Sequence, residues 1–308
     1  MARSVRTPPV SPPVPRASPP VPGASSAIRL ASDVGHDLTT LEPIARQIFG
    51  PGDRPPGWFA RKLAREGVDP ALSSLAFGTG NEVIGYLLVG HEPDPDEPAA
   101  PLLAHCAGLG VLPPHRGHGL GPALVARSLA ALQRRHAHAL HALAEPPRRT
   151  FYEQLGFHPL VARHTLQTTG LGPRDLDFSA HPPAAWELPG PCVSRWRAGT
   201  WSRTPKHLAA TLHLERGTVH LSREGRAILV QRMCVDADER NAEPNDQETI
   251  AATLATLESL RHHFAATTPI LVYGCNTVSC VTASLLRTAR CRIVQTAWEM
   301  QRTLARSR

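Results

Sequence analysis

The stretch Leu109-Gly-Val-Leu-Pro-Pro-His-Arg-Gly-His-Gly-Leu-Gly121 sets glycines 117, 119 and 121 at alternate positions, just ahead of leucines at helical spacing. Such a turn lets backbone amides crowd together at a helix start. There the unpaired N–H groups and the positive end of the helix dipole favour a phosphate. Two other phosphate-binding patterns do not fit: a dinucleotide fingerprint counted from Gly117 would need glycine where Pro122 stands, and a P-loop would need a Lys-Ser/Thr pair. Metal chemistry has less support. His136, His138 and His141 lie close in sequence but have no neighbouring carboxylate or cysteine set, so they read as solvent-facing and no metal is expected. The six cysteines form no CxxC pair and read as reduced thiols.

Around this turn the chain alternates regularly. The pattern predicts a strand at 28–32, helices near 37–48 and 57–66, and strands near 72–78, 82–91 and 102–111. A helix at 119–135 follows, with Leu120, Leu124, Leu129 and Leu132 on one face. A strand near 139–144, a short helix near 149–155 and a last strand near 158–168 complete this half. Residues 171–190 are rich in proline and glycine and read as a linker. Beyond them, strands near 209–216, 218–222 and 226–235, a helix near 247–264, a strand at 270–273, a helix near 278–289 and a strand near 292–302 repeat the order β-β-β-α-β-α-β. The division expected is a disordered proline-rich tail over 1–27, a first unit over 28–170, the linker over 171–190 and a second unit over 191–308.

Arg116-Gly-His-Gly-Leu-Gly121 fits the pattern Arg/Gln-x-x-Gly-x-Gly/Ala, and Phe151-Tyr-Glu-Gln-Leu-Gly-Phe157 follows one strand later. In this order and spacing the two motifs resemble the GCN5-related N-acetyltransferase (GNAT) superfamily, over about residues 28–168. The resemblance implies an α/β fold with a mixed sheet, the acyl-CoA N-acyltransferase fold, here duplicated as in tandem members. It implies transfer of acetyl from acetyl-CoA to a small-molecule or peptide amine, by direct attack in a ternary complex. The pyrophosphate of acetyl-CoA would rest on the amides of Gly117, His118, Gly119, Leu120 and Gly121. The Leu109 amide would hold the thioester carbonyl, and the amide and carbonyl of Val111 the pantetheine arm. Gly108 and Gly110 suit a β-bulge beside Leu109. Arg116 would add charge near the phosphates or stay a solvated surface arginine. Pro122 departs from the pattern because it cannot donate an amide, although it suits the first turn of a helix.

By the same resemblance Tyr152 matches the tyrosine that protonates the departing thiolate; a core tyrosine on a short helix is the other reading. His105 stands where the superfamily often has glutamate. Arylalkylamine N-acetyltransferases carry histidine on this strand, and Gly156-Phe-His-Pro159 also resembles that branch. A neutral imidazole there could take a proton from a substrate ammonium near pH 7, or it could be a core histidine. Glu82, His91 and Glu92 are weaker substitutes.

The second half lacks this equipment. Glu243-Pro-Asn-Asp-Gln-Glu-Thr249 precedes its main helix with three acids and no glycine, which satisfies the helix dipole and repels an anion. It reads as a degenerate copy that completes a sheet, walls the acceptor cleft or holds a homodimer together. The rival expectations are a CoA-sensing or protein-interaction module without catalysis, and a protein that engages a nucleic-acid-associated partner through its basic tail.

Composition narrows the classes further. The chain has 308 residues and a net charge of +7, but only two of its 33 basic residues, Lys62 and Lys206, are lysines. With 31 prolines, that bias reads as genome composition rather than a basic binding surface. No concentrated basic stripe or nucleic-acid motif accompanies the charge, so nucleic acid is not an expected partner. The chain has no apolar run of about 20 residues and its first 27 residues no secretory core, so a cytoplasmic protein without a membrane partner is expected.

Overall fold

The computed structural model describes residues 27–50, 55–92, 102–184, 201, 203–235, 247–276 and 280–304. The proline-rich tail up to residue 26, the acidic run beyond Glu92, the end of the linker and residues 243–246 lie outside the described residues. The strands are β1 (Ala27–Leu30), β2 (Ser74–Phe77), β3 (Val83–Glu92), β4 (Leu103–Val111), β5 (Ala139–Ala144), β6 (His158–Thr169), β7 (Ala209–Leu214), β8 (Gly217–Glu224), β9 (Ala227–Val235), β10 (Pro269–Asn276) and β11 (Arg292–Thr303). The helices are α1 (Glu42–Phe49), α2 (Trp58–Arg65), α3 (Leu120–Arg134), α4 (Arg149–Gln154), α5 (Gln247–His262) and α6 (Cys280–Arg287). Every element expected from the residue pattern is present, and the order β-β-β-α-β-α-β does occur twice.

These strands form one continuous mixed sheet, in the order β1-β2-β3-β4-β5-β11-β6-β10-β9-β8-β7. In β3, every residue from Val83 to Val89 is buried, as an aliphatic strand covered on both faces must be. One cover is α3, whose Leu120, Leu124, Val125, Leu129 and Leu132 join Leu87, Val89, Leu140 and Ala142 in a core. On the other face Leu41 and Ala45 of the α1 region and Phe59 and Leu63 of α2 pack on Leu75, Tyr86 and Leu88. A third core gathers Leu257, Leu260 and Phe264, with Leu285, over Leu212, Leu221, Val230 and Ile270.

The sheet corrects one expectation. β6 does not complete the first half: it leaves the neighbourhood of β5 and pairs antiparallel with β10 and β11. The place beside β5 is filled instead by β11, with Trp298 opposite Ala144 and Thr303 opposite Ala139. Each half therefore lends its last strand to the other. Met300 and Leu304, near the end of the chain, are buried in the core under α3. Local pattern predicts that β6 is a strand, but the choice of neighbour rests on long-range burial.

Candidate functional site

The parallel ladder between β4 and β5 covers only Leu103–His105 against Ala139–His141, yet both strands continue beyond it. β4 stays with β3 while β5 follows β11, so the sheet opens where the two strands part. A cavity of about 430 Å³ lies at this opening. Phe49, Trp58 and Phe59 wall it from α1 and α2, and Tyr152 from α4; Gln295 and Ala297 line it from β11 and Tyr273 from β10. The second half thus completes the sheet and walls the cavity.

The glycine turn sits at the start of α3. Gly117 and Gly119 have φ of 82° and 75°, the left-handed region that favours glycine, and a Cβ on either would meet nothing within 4 Å. Gly119 is the N-cap of α3; no side chain caps it, and the first turn contains no acid. Leu120, Gly121 and Pro122 form that first turn, where proline's missing N–H does not break the helix. A Cβ on Gly121 would press on the Phe151 ring at 3.2 Å, which ties the turn to α4. Open amides beside open space fit a pyrophosphate by shape and by charge. Arg116 turns inward: its Nε donates to the Val111 carbonyl at 2.9 Å. His118 is exposed, and Leu109 lines the cavity. The β-bulge lies earlier than expected, because Gly108 pairs with Leu88 and Cys106 with Val89, leaving Ala107 as the extra residue.

Tyr152 is buried on α4, edge-on to Phe151 and Phe157 at 5.2 and 5.3 Å between ring centres. Its hydroxyl lies 3.9 Å from Cys106 Sγ. Burial, reinforced by Cys106, pushes the phenol well above its ordinary range, so it stays protonated at neutral pH. Burial likewise pushes the Cys106 thiol up to about 11, which leaves it neutral.

His105 is 3% exposed and lines the same cavity. Its Nε2 is 3.2 Å from Glu66 Oε2, and Glu66 Oε1 is 3.3 Å from Lys62 Nζ. Burial opposes ionisation of Glu66, but Lys62, His105 and Arg65 together hold its carboxyl well below the usual carboxylate range. Gly90, opposite His105 on β3, is required here because a Cβ would strike both the imidazole and the Glu66 carbonyl. The weaker substitutes fall elsewhere: Glu82 is exposed in the β2–β3 turn, and His91 lies 3.5 Å from Asp69, outside the cavity lining; the Glu92 side chain is outside the described ones.

Three residues of the cavity floor escaped the sequence reading. His141 is not solvent-facing like His136 and His138; it is 4% exposed and in register with His105 on the neighbouring strand. Its place in Ala139-Leu-His-Ala-Leu-Ala144, an otherwise apolar strand, was the available signal. Glu299 of β11 is 3% exposed, and its Oε1 forms an ion pair with Arg163 Nε of β6 at 2.8 Å. An acid inside Ala297-Trp-Glu-Met300 hinted at a buried partner but could not name it. Among the described residues no group of three or more His, Cys, Asp or Glu could hold a metal, and no helix is long and apolar enough to cross a membrane.

Residues 39–157, which contain the glycine turn, His105 and Tyr152, match the acetyltransferase (GNAT) family model. Comparison with curated proteins finds no match. Solved structures share the fold at low identity. A Pyrococcus horikoshii protein assigned to the acetyltransferases superposes with a TM-score of 0.61 at 13% identity, over 95% of this chain and 94% of that one. A tandem GNAT protein from the clavulanic acid biosynthesis pathway gives 0.52 at 12% identity, over 93% of this chain and all of the other. The glucosamine N-acetyltransferase region of a fungal multi-domain β-N-acetylglucosaminidase gives 0.55 at 13% identity, over 94% of this chain and 40% of that protein. The match falls on the half that holds the open glycine turn, and the likeness of fold to these structures runs on through the exchanged strands: residues 39–157 carry the GNAT family match within a chain that shares its whole fold with them.

Proposed function

We propose that the protein is an N-acetyltransferase that moves acetyl from acetyl-CoA to a small-molecule or peptide amine, by direct attack in a ternary complex. The observation that carries this reading is the open glycine start of α3 beside a ladder that parts onto a cavity containing a protonated tyrosine and a pair of imidazoles. Acetyl-CoA supplies the thioester. The amides of Gly117, His118, Gly119, Leu120 and Gly121 would hold its pyrophosphate. Leu109 and the Val111 amide would hold the thioester carbonyl and the pantetheine arm, with Arg116 moving from Val111 toward the phosphates. Tyr152 acts as the general acid toward the departing sulfur, and no cysteine nucleophile is needed. On the acceptor side, an imidazole of the cavity, where His105 and His141 lie side by side, receives the ammonium proton.

Catalysis belongs to residues 28–170 in this reading. Residues 191–308 are a degenerate copy that supplies a strand and a cavity wall, 171–190 is the linker and 1–27 a tail. A cytoplasmic setting and a homodimer are compatible with this arrangement. The test incubates the full chain with acetyl-CoA and a panel of amines, amino acids, aminoglycosides and peptides, and follows free CoA thiol. Amine-dependent release is expected; tight CoA binding with no release by any amine would replace the enzyme with a CoA-sensing module.

A further inference from the structure

His105 and His141 sit side by side across β4 and β5, a spacing of about 4.8 Å between strands, but their surroundings differ. A carboxylate only accepts hydrogen bonds, so the contact of His105 Nε2 with Glu66 Oε2 at 3.2 Å requires a hydrogen on that nitrogen. His105 Nε2 is committed to donating. His141 has no such partner: its Nε2 is buried and makes no hydrogen bond among the described residues. A buried polar atom left without a hydrogen bond is costly, and this one belongs to a residue that lines the cavity, where a bound ammonium could satisfy it.

We infer that His141 is the residue that takes the proton from the acceptor's ammonium, and that the Glu66–His105 pair is a positioning device beside it. The inference rests on the N-acetyltransfer reading and names a catalytic residue within it. The ammonium gives one proton to the His141 imidazole, which passes it to solvent. The freed nitrogen forms the C–N bond as the C–S bond breaks. The sulfur takes the Tyr152 proton, and the proton leaving the new amide nitrogen restores the phenol. Amide, CoA thiol and one solvent proton result.

The groups around His141 keep it neutral before the reaction. Burial lowers its affinity for a proton most; Glu299 on β11 opposes this, and His105 on β4 and His138 add to the lowering. Glu299 is itself engaged by Arg163 of β6, which limits how far it can favour the charged imidazole. Glu145 and Arg148 line the same cavity. The neutral form therefore persists below the ordinary histidine value of about 6.5, and activity should fall only as the pH drops through that lower value.

The experiment compares wild type, His141→Gln and His105→Gln with the amine that the panel identifies, and reads kcat against pH together with CoA affinity. For His141→Gln we expect kcat at pH 7 to fall about 10²–10³-fold, loss of the acidic limb and unchanged CoA affinity. His105→Gln should lower kcat but keep the limb. An active wild type whose limb survives in His141→Gln, or disappears only in His105→Gln, overturns the assignment and leaves the acetyltransferase reading standing. Absence of turnover with every amine sinks both. Should His141→Gln fail to fold, nitrogen-15 spectra of histidine-labelled wild type still decide, with His141→Asn assigning the signal: a neutral His141 imidazole at pH 7 supports the role, and a charged one refutes it.

Discussion

The starts of α3 and α5 occupy corresponding places in the two halves, and they differ in the feature that matters to an anion. α3 begins on a left-handed glycine, with open space where side chains would stand and no acid in its first turn. α5 carries Glu248 in its first turn. An unneutralised helix start attracts phosphate, whereas an acid there satisfies the dipole and repels it. Around both starts the same succession of strands and helices is kept, and the parallel ladder of β9 and β10 also stops short of the strand ends, after Val230 and Val272. The same succession of elements is therefore kept with and without an open helix start, provided that its surfaces are still needed. Here they are. β11 fills the sheet beside β5, Arg149 of α4 lies over the Trp298 ring at 4.3 Å, and Arg302 donates to the Leu155 carbonyl at the end of α4. The second half holds in place the helix that carries Tyr152.

The sharpest way to break the comparison is to exchange its decisive feature. Gly119→Glu puts a carboxylate and a strained left-handed residue at the start of α3 and should abolish measurable CoA binding, while glycines placed in the 243–248 segment should create no site. Calorimetry on the intact chain should give one CoA per chain; a stoichiometry near two would mean that the second half still binds. Next in size, Tyr152→Phe should reduce turnover about 10²–10⁴-fold and leave CoA affinity nearly unchanged, since it removes a proton donor and little volume. Steady-state rates beside calorimetry separate those two quantities, and full activity in the variant would remove Tyr152 from the reaction.

Interdependence of the halves is tested by Met300→Ala, near the end of the chain but inside the first half's core. It should destabilise the protein by about 2–5 kcal/mol in denaturant titrations. Probes placed in each half should still report one shared transition; separate midpoints would argue against the exchange of strands. A smaller effect follows from Glu66. Its carboxyl is held below its unfolded value, so its contribution to stability is fully present above about pH 4.3 and is lost as the pH falls through the folded value. Glu66→Gln should flatten the decline of melting temperature below that pH. The smallest change is expected for Arg65→Ala, which breaks the 2.6 Å contact from α2 to the half-exposed Glu224 of β8 and should cost only about 0–1 kcal/mol.

The kind and order of the elements and the character of the turn follow from local residue pattern. Alternating aliphatic residues make strands wherever both faces are covered, leucines at helical spacing make α3, and glycines at 117 and 119 permit left-handed amides because only glycine adopts that backbone without strain. These are local properties, legible residue by residue. Tertiary structure alone decided which strand lies beside β5, because β6 and β11 are both plausible neighbours by composition and long-range burial chose β11. The same choice brought Glu299 and Arg163, 136 positions apart in the chain, into one ion pair on the cavity floor. It also decided that His141 is buried while His136 and His138 face solvent: a histidine's spacing in sequence is blind to what packs over it, and only the packing sets its solvation and hence its charge.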